Sequence, residues 1–141
     1  QRYDNGRINE SLLQLNDDDG NSWYQFYASR YDYLRIANAI LNDWKNDTCV
    51  GKYLKNIYEN KKPKTNTNHP RLKHSNTYGG QFHTDFTGMI GRNIMAMEGY
   101  GGQSVMIDFD NSRILVLNTI HTNYNFDELV IKAIKNGKLK E

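Results

Sequence analysis

Cysteine is almost absent from this chain. Cys49 stands alone, so no disulfide within the chain can hold the fold together. Long apolar runs are missing too: none approaches the roughly 20 residues that a membrane-spanning helix needs. Neither sign of charge dominates, and a formal net charge of +2 is too small to imply nucleic acid or an anionic membrane as partner. Proline occurs only at Pro63 and Pro70, both inside one polar stretch. The first ten residues, "QRYDNGRINE", carry no signal-peptide pattern. They also open without Met, which leads us to expect further residues upstream. What remains is 141 residues with 38% hydrophobic content, enough for one domain with a modest core. The mean hydropathy of −0.82 comes from Asn and Lys scattered along the chain.

Periodicity supplies the elements. Residues 1 to 21, with "NDDDGN" at 16 to 21, read as loop. Ser29, with Asp32 three residues on, fits a capping box. From there Tyr31, Leu34, Ala37, Leu41 and Trp44 recur at helical spacing beside Ile40, and Asp32, Arg35, Asn38 and Asn42 fall on the wet face. This predicts an amphipathic helix over 29–44. A second helix is expected over "CVGKYLKNIYEN", with Val50, Tyr53, Leu54 and Ile57 on one side. The stretch 61–76 has no periodicity and predicts a long loop. After it the period changes. "TYGGQFHTDF" and "RNIMAME" read as short strands, and "QSVMIDF" and "RILVLNT" as strands covered on both faces around the turn signal "DNS". The last element is a helix over "NFDELVIKAIKNG". Asn125 caps it, Glu128 closes the box, and Phe126, Leu129, Val130, Ala133 and Ile134 form its buried stripe. Lys135 falls in the last turn and Gly137 ends it. No internal repeat stands out. The order predicts an α+β fold, with residues 1–76 as a helical segment and loop and 77–141 as antiparallel strands and a C-terminal helix.

Chemistry is sparse. The cluster Gly99, Gly101, Gly102 precedes a strand rather than a helix, and no Gly-Lys-Ser/Thr accompanies it, so a phosphate cradle is excluded. A bulge is the simplest structural account of the cluster. His69, His74, His83 and His121 show no metal-ligand spacing and read as surface or strand-edge residues, with His83 and His121 at strand ends. "KKPKTNTNHPRLKH" lacks interleaved aromatics and reads as a solvated loop. Cys49 has no His beside it in sequence to support a nucleophile and reads as a small buried residue.

Four segments, in order, resemble the C-terminal part of the serine β-lactamase, penicillin-binding-protein and esterase superfamily, in its class C-like branch. They are "YASRYDYLRIANAILNDW", "GKYLKNIYE", "YGGQF" and "GYGGQSVMIDFDNSRILVLNT". The resemblance implies a partial β-lactamase/transpeptidase-like fold with the terminal helix packed on the sheet, and a sheet face that meets elements outside this sequence. The family's third motif, Lys/His-x-Gly, falls on Met97-Glu98-Gly99. Tyr100 would then offer its backbone N–H as one of two oxyanion-hole donors, with Glu98, Gly99 and Gly101 lining the substrate's approach. A neutral Met97 in place of the family's frequent cation suits an ester or amide substrate better than a penicillin-like carboxylate. No Ser-x-x-Lys nucleophile motif occurs in the chain. Tyr-x-Asn occurs at Tyr3–Asn5 and Tyr58–Asn60, a frequency that chance explains in a chain with 10 tyrosines. The resemblance therefore implies the last third of a serine hydrolase, inactive by itself, completed by its N-terminal part or a partner chain. It needs no metal or organic cofactor and is periplasmic or secreted. The alternative is a non-catalytic binding module derived from the same fold.

Overall fold

The computed structural model describes residues 12–16, 22–26, 28–65, 74–99, 102–118 and 124–136. Strands β1 (Leu12–Asn16) and β2 (Ser22–Phe26) pair antiparallel as a separate two-stranded sheet. Both segments lie in or beside a stretch expected to be loop. Two five-residue strands of apolar and aromatic residues around an Asp-Gly turn signal account for the difference.

Helix α1 (Arg30–Lys45) starts at Ser29, whose hydroxyl accepts from the Asp32 N–H while the Asp32 carboxylate accepts from the Ser29 N–H, the capping box expected. Its core residues are Ala37 and Leu41. Tyr31 (59% exposed) and Leu34, also expected on the buried stripe, face solvent. Helix α2 (Cys49–Glu59) is capped by Thr48. It buries Gly51 and Leu54 but leaves Val50 and Tyr53 exposed. Cys49 is exposed, not buried as expected, because it occupies the first turn of α2 rather than its packed side.

The main sheet is a six-stranded antiparallel meander in sequence order, β3 (Lys62–Pro63), β4 (Ser75–Gly79), β5 (Phe82–Phe86), β6 (Ile94–Glu98), β7 (Ser104–Asp108) and β8 (Arg113–Leu117). β3 and Ser75 therefore belong to the sheet rather than to a loop. Pro63 is tolerated because β3 is an edge strand and needs no inner-ladder donor there. "TYGGQFHTDF" is a hairpin rather than one strand: Gly80 and Gln81, both at positive φ (53° and 71°), turn the chain between β4 and β5.

A helical layer covers each face. On one side Ala37, Leu41 and Leu54 pack with Met95, Val105, Ile107 and Phe109, joined by Ile114 and Val116. On the other, Phe126, Val130 and Ile134 pack with Phe86, Ile94, Ala96 and Met106, joined by Leu115 and Leu117. Register sets which residues of β7 and β8 share a face. Val105 stands opposite Val116, and Met106 opposite Leu115, and opposed residues share a face. The face expected to meet elements outside the sequence is covered by α1 and α2 of this chain.

The C-terminal segment opens with a π-helical turn, Asp127–Ile131, followed by α3 (Lys132–Asn136). The wider turn aligns Phe126, Val130 and Ile134 on the sheet and turns Leu129 and Ala133 outward, against the stripe expected from α-helical spacing. Asn125 does cap, its Oδ1 accepting from the Glu128 N–H at 3.2 Å, but the Glu128 carboxylate accepts from Lys132 at 2.8 Å. Lys135 falls in the last turn; Gly137 lies outside the described residues.

Candidate functional site

The β6–β7 connection is where the glycine motif falls. Glu98 ends β6 opposite Ser104, the first residue of β7. The Gly99 N–H donates to the Gln103 carbonyl at 3.0 Å, and the Gly102 N–H donates to the Gly99 carbonyl at 3.2 Å. Gly102 is buried with φ +100°, a conformation that side chains resist. From 22 residues further on, the Tyr124 hydroxyl donates to the Gly102 carbonyl at 2.8 Å. A Cβ on Gly99 would meet only the flexible Gln103 Oε1, at 3.0 Å, so position 99 demands glycine less strictly than position 102. Tyr100 and Gly101, expected to carry the oxyanion donor and the open approach, lie outside the described residues, as do Tyr3, His69 and His121.

Meander order brings a second glycine turn to the same end of the sheet. β4 and β6 both run toward that end, so the turns after them are neighbours. Both carry the same tetrapeptide: Tyr78-Gly79-Gly80-Gln81 in one and Tyr100-Gly101-Gly102-Gln103 in the other. That recurrence is the sequence signal that could have pointed to the sheet end as a unit. In the first turn, Tyr78 donates from its hydroxyl to Gln81 Oε1 at 2.7 Å, and Gly80 lies so close to Ile57 of α2 that a Cβ would stand 2.6 Å from its Cδ1.

A polar cluster that sequence reasoning missed lies beside this hairpin. The Lys64 ammonium hydrogen-bonds the Ser75 hydroxyl, and Ser75 Oγ is 3.3 Å from His83 Nδ1. The Tyr78 ring meets the His83 ring edge-on at 4.9 Å. Burial, helped by the Lys64 cation, pushes His83 down to about 4, and burial also lowers Lys64, with the Glu98 carboxylate pulling the other way. The imidazole is therefore neutral at pH 7. Ser75 is only 3% exposed, so its hydroxyl serves a buried network rather than an incoming acyl group. His83 is a buried residue within β5, not the strand-edge residue expected. His74 is partly buried, stacked on Phe126 at 5.1 Å and 3.2 Å from the Asp127 carboxylate.

At the opposite end of β6, a cleft of about 430 Å³ is lined by Trp44, Lys55, Tyr58, Glu59 and Asn93. Tyr58 donates its hydroxyl to the Arg92 carbonyl at 2.9 Å, and burial raises its pKa, an environment opposed to a tyrosinate base. Two lysines of the basic stretch are already engaged: Lys64 as above, and Lys61 with Asp85 at 3.1 Å and with the Tyr58 ring at 3.6 Å. Among the described residues no group of three His, Cys, Asp or Glu side chains could hold a metal ion, and no helix is long and apolar enough to cross a membrane.

No family model matches the chain, and no curated protein or solved structure is significantly similar to it.

Proposed function

We propose that this chain is the C-terminal part of a β-lactamase-related serine hydrolase and supplies one wall of its acyl-transfer site at the β6–β7 glycine turn. The observation that carries the reading is placement. The four resembling segments map in order onto α1, α2, the β4–β5 hairpin and the β6–β8 meander, and the third motif lands on a strand end that opens into a braced glycine turn. Met97 packs with the cluster beneath α1 and α2, so no cation stands at the motif's first position. That favours a neutral ester or amide over a substrate held by its carboxylate.

In this reading a serine outside the chain attacks the substrate carbonyl and forms the acyl-enzyme. Its Oγ–C bond forms as the alcohol or amine leaves, and water then cleaves the ester. The Tyr100 N–H is one of two donors to the oxyanion, a role typically contributing about 3 kcal/mol, or roughly 10²–10³ in rate. The turn needs no metal for this. The alternative, a non-catalytic module on the same fold, makes the opposite prediction in the same assay.

The test uses the intact protein that carries this chain. A fluorophosphonate should label one serine upstream of Gln1, and p-nitrophenyl esters should be turned over. Gly101→Val should lower turnover by roughly 10²-fold with folding intact, because in this reading a branched side chain crowds the substrate's approach to the oxyanion donor. Tyr100→Phe should change turnover less than twofold, since only the backbone of Tyr100 acts. An intact protein that is neither labelled nor active sinks the reading in favour of the binding module. A fully active Gly101→Val protein removes the oxyanion assignment.

A further inference from the structure

We infer that Tyr124 is a positioning residue for the glycine turn, holding the Gly102–Gln103 peptide in one orientation on which hydrolysis by the intact protein depends. The inference rests on reading the turn as part of an acyl-transfer site. Its structural half stands on the contact alone.

Glycine dominates the turn. Three of its residues, Gly99, Gly101 and Gly102, lack side chains, and glycine backbones explore more conformations than any other. Between its described residues the backbone bonds are the two from the Gly99 and Gly102 N–H groups. Tyr124 adds a third from outside: its hydroxyl donates to the Gly102 carbonyl at 2.8 Å, a normal O–H···O length. The donor is itself anchored. The Tyr124 ring lies 6.3 Å from that of Phe126, which is buried in the core on this face and stacked on its far neighbour His74. The hydroxyl is thus presented from a packed platform.

Planarity makes this one bond do two things. A trans peptide sets C=O and N–H in opposite directions, so fixing the Gly102 carbonyl also fixes the direction of the Gln103 N–H. Gln103 is the residue whose carbonyl accepts from Gly99 and closes the turn. That carbonyl belongs to the next peptide along, so the 102–103 plane is joined to the backbone of Gly99, at the end of β6, through the torsions of one residue, Gln103. Removing the phenol hydroxyl frees that peptide to rotate. A displacement of about 1 Å at a reacting group can cost roughly 10²-fold in rate, and the loss falls on the step that needs the geometry rather than on binding.

The experiment is Tyr124→Phe in the intact protein, which keeps the ring and its packing. Two readouts are taken: hydrogen exchange of the amides in 99–104, with β6 and β7 as internal folding controls, and ester hydrolysis resolved into kcat and KM. We expect at least tenfold faster exchange in the turn, unchanged protection in the strands, a roughly tenfold lower kcat and a KM within about twofold. Unchanged turn exchange overturns the inference, since the contact then holds nothing. Faster exchange with an unchanged kcat overturns the catalytic dependence, and a parallel loss of strand protection would do the same by showing a general structural role. A wild-type protein that fluorophosphonate does not label removes the hydrolase reading itself, whatever Tyr124→Phe does to exchange.

Discussion

His83 shows how one buried side chain sets a pH response. It is 9% exposed, flanked by the Ser75 hydroxyl, the Tyr78 ring and the Lys64 cation, and held down to about 4 from its ordinary 6.5. The unfolded chain binds a proton at His83 below 6.5, whereas the folded chain does so only below about 4. Between those limits the unfolded state holds more protons, so stability must rise with pH across that window and level off above it. At 1.36 kcal/mol per pH unit, His83 alone removes up to about 3 kcal/mol on acidification. Thermal melts at half-unit steps from pH 7.5 to 4 should show the decline, and His83→Asn should flatten it; an equally steep decline in the variant would assign the slope to other groups. None of this network was legible in the sequence. Lys64 sits in a stretch without periodicity, and only the pairing of β3 with β4 brings it to Ser75, 11 positions later. The glycines at the β6–β7 turn were legible because their composition is unusual by itself, whereas the Tyr124 hydroxyl that braces them comes from 22 residues further along the chain.

Elements were legible where a local signal specifies them. The Ser29–Asp32 box set the start of α1 to within a residue, and the turn signal "DNS" fell between β7 and β8. Burial was less legible, because helical spacing marks a face without saying how much of it has a neighbour. In α1 only Ala37 and Leu41, on the turns over β7 and β8, are fully covered. In the last helix a single π turn was enough to keep Phe126, Val130 and Ile134 inward while turning Leu129 and Ala133 out of the expected stripe, and no periodicity count anticipates an inserted residue. Gly51 is the clearest test at this scale. It lies inside α2, where Ala would be favoured by about 1 kcal/mol on helix propensity. Yet a Cβ there would stand 1.9 Å from the carbonyl oxygen of Asp43, a backbone atom of α1. The two helices approach so closely only because that side chain is missing. Gly51→Ala should therefore destabilise, by roughly 2 kcal/mol or more after the propensity gain, through separation of α1 from α2. Urea unfolding measures it; a stabilised Gly51→Ala protein would mean that the helices part without consequence for the core.

At the scale of the whole molecule, three layers meet near Arg92. Its guanidinium pairs with Asp108, which is fully buried, and also donates to the Ile134 carbonyl at 3.3 Å, near the end of the terminal helix. Its own carbonyl accepts from Tyr58 of α2. Arg113 donates to the same Ile134 carbonyl at 3.2 Å, so two cations face the end of the terminal helix, where the helix dipole favours positive charge. Asp108 fixes the arrangement from the sheet. Besides Arg92 it accepts from Asn111 Nδ2 at 2.8 Å and from the N–H groups of Asp110 and Asn111 at 3.2 Å each. Removing this carboxylate leaves Arg92 partly buried without its counter-charge and the β7–β8 turn without its acceptor, a combination that typically costs about 3–5 kcal/mol. The loss should also be directional. Once Arg92 is released, Phe126, Val130 and Ile134 are less firmly held over Phe86, Ile94 and Met106, so that face should open before the one beneath α1 and α2. Asp108→Ala should therefore bind a dye for exposed apolar surface at urea concentrations where the wild type does not, with exchange protection lost first in 126–136. The double variant Asp108→Leu, Arg92→Met, which removes both charges, should recover part of the stability. If Asp108→Ala unfolds at the wild-type urea midpoint, the layers are held by apolar packing alone, and the ionic tie has no structural part in joining them.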